Sequence, residues 1–120
     1  MTSKIQDALA ELHRLPGVKA TALVTNDGLV AAESLDQRFG SDVVAGLTSY
    51  LLMTTNRCLD EGKLGKTSQI IVHASNGKAI LTTLDAACLV VLFDQFADTA
   101  RARKDVQEAA QRIRRLSRIA

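Results

Sequence analysis

The sequence predicts an α+β sandwich: a five-stranded antiparallel sheet with helices on both faces, in the order α-β-β-α-β-β-β-α. Three observations lead there. Two apolar runs flank Asn26-Asp27-Gly28, two more flank Ser75-Asn76-Gly77, and long stretches with helical periodicity lie before, between and after them. Turn residues that tolerate positive φ between β-rich runs are a strong local signal for a hairpin.

The first element is a helix over Ser3 to Arg14, with Ile5, Ala8, Leu9 and Leu12 on one side, Ser3 as cap and Pro16-Gly17 as its stop. Residues 18–24 then alternate as a strand, and 29–34 return antiparallel to them. A polar connection over 35–40 leads to a long helix from Ser41, read as its N-cap, to Glu61, with Gly62 ending it. Strands follow at 69–74, 78–84 and 87–93, and the chain closes with a helix from about Phe96 to Ser117.

At 120 residues with 47% hydrophobic content and one proline, a single folded domain over residues 1–120 is expected. Charged residues interrupt the first fifteen positions, and the longest apolar run, 86–93, cannot span a bilayer. A soluble, cytoplasmic protein with no membrane insertion is the expectation. Net charge is +2, but residues 101–120 hold seven basic side chains against Asp105 and Glu108, leaving the first hundred residues at −3. That basic helical end reads either as a solvated helix whose cations suit its C-terminal dipole or as a surface for an acidic partner.

Catalytic signatures are missing. Gly65-Lys66-Thr67 resembles the close of a phosphate-binding loop, but position 60, where the first glycine belongs, is Asp60, and a helix precedes where a strand is required. Cys58 and Cys88 have no metal-ligand spacing with each other or with His13 and His73, so no metal or cofactor is expected. Tyr50, Phe39, Phe93 and Phe96 are the whole aromatic complement, too few for nucleic-acid recognition by stacking.

The long helix carries the unusual pattern. At 100° per residue, Val43, Val44, Leu47, Tyr50, Leu51 and Cys58 form one face, read as the stripe against the sheet. Ala45, Leu52 and Leu59 recur every seven residues on a second stripe, with Thr48 and Thr55 between. One sheet cannot cover both, so the second stripe is read as a homodimer seam, joined by the β-rich edge Ile70, Ile71 and Val72. A third sector with Ser49, Met53, Asn56 and Arg57 is the candidate partner-binding surface. Arg38 and Arg57 are exposed arginine candidates.

The segments PGVKATALVTNDGLVAAES, SNGKAILTT and ACLVVLF, with the long helix and the final Ala/Arg-rich helix, together resemble a roadblock domain, of the roadblock and dynein-light-chain family. The resemblance covers nearly the whole chain and implies a roadblock/profilin-like fold. It also implies a homodimer in which two sheets join edge to edge and the long helices pack together, in the compact bacterial or archaeal form. Members of the family bind small Ras-like GTPases as regulatory or activating subunits, serve as scaffolds, or act as dynein-associated light chains. The expected function is therefore a homodimeric, non-catalytic regulator of a small Ras-like GTPase, with a dimeric scaffold that leaves nucleotide turnover unchanged as the alternative.

Overall fold

The computed structural model describes residues 2–35 and 40–119, with side chains from Lys4 to Ser117. The elements are α1 (Thr2–His13), β1 (Val18–Thr25), β2 (Val30–Leu35), α2 (Ser41–Glu61), β3 (Gln69–Ala74), β4 (Gly77–Thr83), β5 (Ala87–Phe93) and α3 (Thr99–Ile119). They occur in the predicted order and build one antiparallel sheet, β2-β1-β5-β4-β3. The expected cap at Ser3 and the arginine at Arg38 fall outside the described side chains.

The first hairpin closes differently from a two-residue turn. Gly28 N–H donates to Thr25 C=O at 3.0 Å, Thr25 N–H donates to Leu29 C=O at 2.8 Å, and Gly28 alone in the turn has positive φ, +86°. This is a type I turn followed by a left-handed glycine that bulges the strand, so Asn26 needs no unusual backbone.

α1 and α3 pack together on one face of the sheet. Leu9, Leu12, Val106, Ala110 and Ile113 meet Leu23, Ile80, Leu89, Val91 and Phe93 there in a buried cluster. Opposite them, α2 seats Val44 and Ala45 against Ala22, Val24, Leu81, Cys88 and Val90. Desolvation pushes the Cys88 thiol up to about 12, and a backbone hydrogen bond at Thr82 opposes that shift.

Helix starts depart from expectation where capping decides them, while α2 ends at Glu61 with Gly62 as its C-cap, as expected. Gly40, not Ser41, is the N-cap of α2; its C=O accepts from Val43 and Val44, while the Ser41 hydroxyl donates to the Glu33 carboxylate. At the far end Gly62 has φ −84°, and the left-handed residue is Lys63, φ +58°. Lys63 N–H donates to Asp60 C=O and Leu64 N–H to Leu59 C=O, which is a Schellman arrangement closing one residue beyond the glycine. α3 begins at Thr99 and not near Phe96, because the Asp98 carboxylate accepts from Arg101 N–H at 3.1 Å and caps the helix there.

Candidate partner-docking surface

The seating of α2 departs from the predicted stripes in part: of the stripe expected on the sheet, Val44 and Leu51 pack there, while Val43, Leu47, Tyr50 and Cys58 are exposed. Ala45 and Thr48, expected at a dimer seam, are buried within the chain, and Leu52 packs half-buried on the same core. Val43, Leu47, Tyr50 and Met53 are instead 71%, 53%, 63% and 65% exposed. Small Ala45 and Thr48 face the strands and are buried there, and the Thr48 hydroxyl can be buried because it donates to Val44 C=O at 2.7 Å. Thr55 and Leu59 are half-buried on that inner side. The apolar stripe that the sheet leaves uncovered is therefore Val43, Leu47 and Tyr50, and its signal in the sequence was the small size of the residues opposite it.

α2 does not cover the whole of its sheet face. It rests mainly on β1 and β2. Beside it runs an apolar groove of about 190 Å³, bounded by Leu47 and Leu51 of the helix and by Val72, Ala79, Leu81 and Leu92 of the strands. Ile70 and Val72 are half-buried, and Ile71 on the other side of the strand is exposed.

The groove ends at β3, an edge strand. Ser68 C=O accepts Thr83 N–H at 3.0 Å, and Ile70 pairs with Leu81 and Val72 with Ala79. By the alternation of antiparallel ladders, Gln69, Ile71 and His73 then direct their backbone groups to the open edge. The opposite edge is guarded. The Gln6 amide donates to Glu33 C=O on β2, and His13 Nδ1 lies 2.7 Å from the Ser34 hydroxyl.

The other flank of α2 borders a depression of about 670 Å³ lined by Asp27, Ser49, Leu52, Met53, Asn56, Lys66 and Thr67. Ser49 and Met53 open into it. Asn56 instead ties down a loop, since its Oδ1 accepts both Thr67 N–H (2.8 Å) and the Thr67 hydroxyl (2.6 Å) and so pins the segment that leads into β3. Thr67, the end of the Gly65-Lys66-Thr67 triplet, is thus a buried structural residue. At the rim, the Thr25 hydroxyl at 2.6 Å and a backbone hydrogen bond hold the Asp27 carboxyl below its ordinary range. Arg57 is exposed on the outer side of α2. Among the described residues no cluster of His, Cys, Asp or Glu could hold a metal ion, and no helix is long and apolar enough to cross a membrane.

Comparison with known proteins places this geometry in context. A family model described as the Roadblock/LC7 domain matches residues 4–93. The protein MJ0714 of Methanocaldococcus jannaschii is 30% identical over 112 residues, which cover 93% of this chain and 95% of that protein. The structure of a Roadblock/LC7 domain from Streptomyces avermitilis superposes with a TM-score of 0.83 at 24% identity, covering 92% of this chain and 95% of that one. Myxococcus xanthus MglB superposes with a TM-score of 0.91 at 16% identity, covering 98% of both chains.

Proposed function

The chain belongs to the Roadblock/LC7 domain family, and from that premise we propose that it is a homodimeric, non-catalytic regulator of a small Ras-like GTPase. The observation that carries the reading is the row of exposed apolar side chains on α2, Val43, Leu47, Tyr50 and Met53. Large side chains held in water on a helix that also borders an open groove are the mark of a surface built to be covered.

Two different partners share that surface. A second copy takes the groove side: its β3 pairs with the open β3 edge, and its α2 lays Leu47 and Leu51 over Val72 and Leu92. Ile70, Ile71 and Val72 then lie at the seam, as expected from the sequence, with Leu47 and Leu51 in place of Ala45, Thr48, Leu52, Thr55 and Leu59. The GTPase takes the outer crest of the paired helices, at Tyr50, Met53, Ser49 and Arg57. Binding one nucleotide state more tightly would shift the switch loops of the GTPase toward that state.

The test is to titrate a small Ras-like GTPase from the same organism, loaded with GDP or with a GTP analogue, against wild type and Met53→Asp, following hydrolysis in parallel. The reading expects unequal affinity for the two forms, a loss of at least tenfold in the variant, and a changed hydrolysis rate. Equal affinity and unchanged hydrolysis favour the scaffold.

A further inference from the structure

We propose that the outer face of α3 docks the protein on an anionic phospholipid surface. α3 lies across the sheet from α2, so its outer face takes no part in the docking surface described above. Val106, Ala110 and Ile113 fix which side is buried. At 100° per residue, the crest opposite them carries Arg101, Lys104 and Arg115, with Glu108 among them and Arg112 and Asp105 on its flank.

Two of the helix's cations are committed elsewhere. Arg112 pairs with Glu11 at 2.8 Å, and Arg114 lies 3.8 Å from Asp85 and donates to Thr83 C=O. Arg101, Lys104 and Arg115 stay exposed, and Arg103 is exposed away from the crest. From Arg101 to Arg115 the row extends roughly 21 Å at the helical rise. Three residues before the helix, Phe96 is 84% exposed, an apolar ring suited to the interfacial layer of a bilayer.

The choice of lipid over nucleic acid follows from shape and side-chain type. The crest is a convex helix face, and α3 itself carries no aromatic for stacking on bases. Basic side chains on an amphipathic helix are drawn to an anionic leaflet, each Lys or Arg near the surface adding to the attraction. If two sheets join edge to edge, both α3 helices fall on one side of the assembly and the attraction doubles, while the α2 crest faces the solvent. Attachment of a single chain does not depend on that pairing or on the GTPase reading.

The experiment is flotation of the full chain with vesicles containing three parts phosphatidylcholine to one part phosphatidylglycerol, and with pure phosphatidylcholine, at low and high salt. Wild type is expected to float with the anionic vesicles at low salt only. Arg101→Glu/Lys104→Glu/Arg115→Glu is expected to lose at least tenfold in partition while keeping its circular dichroism and elution volume; Phe96→Ser, a milder change, should weaken binding severalfold. Wild type left in the supernatant, equal binding to neutral vesicles, or an unaffected triple variant would overturn the proposal. So would binding to a short DNA duplex under the same salt with none to the vesicles.

Discussion

Lys63 occupies the left-handed position that glycine usually fills in a helix end of this type, with Gly62 one residue too early to serve. A left-handed lysine costs roughly 1–2 kcal/mol, of which the greater freedom of an unfolded glycine would return part, so Lys63→Gly should stabilise the fold by about 1 kcal/mol. Urea denaturation at a fixed protein concentration measures it, and an unchanged or lower midpoint would contradict the capping geometry. At Cys88 burial has the opposite character. With its thiol raised from 9.0 to about 12, the folded state favours the neutral form. That contribution is complete below pH 9 and is lost as pH rises from 9 through 12. A thiol reagent at neutral pH should therefore find one cysteine fewer in the native chain than in urea; equal counts would show Cys88 to be open.

Among the elements, the strands were legible as apolar runs flanking turn residues such as Asn26-Asp27-Gly28 and Ser75-Asn76-Gly77, and α1 and α3 from their helical spacing. α2 was only half legible. Two apolar stripes share that helix, and periodicity shows that both exist without showing which is seated. Which stripe is seated is a tertiary outcome that no wheel displays: Ala45 and Thr48 are buried, while Leu47 and Tyr50 are exposed. Asn56 likewise reads as a surface amide until Thr67, eleven residues on, is seen to close on it. The two edges of the sheet are a further contrast invisible in the sequence. β2 has its Glu33 carbonyl engaged by Gln6, while the described residues leave β3 open. If β3 pairs with a second copy, the Ile71 and His73 amides exchange slowly with solvent deuterium in the assembled protein. Fast exchange at Ile71, alongside protected Ile70 and Val72, would leave the edge unpaired.

For the whole molecule, the arrangement divides labour between the two faces of one sheet. α1 and α3 complete a core on one side, and α2 covers only part of the other, so that an apolar groove and the edge strand β3 lie next to each other along the same border. A second copy brought to that border would satisfy both at once, and the same association would set two α2 crests side by side as a platform wider than one chain offers. Such an interface would be symmetric, so each substitution would act twice; burying a leucine is worth roughly 1.5–3 kcal/mol, and a glutamate at its centre would remove that gain and add a desolvated charge.

Light scattering on protein eluting from a sizing column, for wild type and Leu47→Glu, tests this pairing most directly. The account predicts twice the chain mass of 12.9 kDa for wild type at micromolar concentration and the mass of one folded chain for the variant. A wild type that elutes as a single chain, or a variant that stays paired, would contradict it.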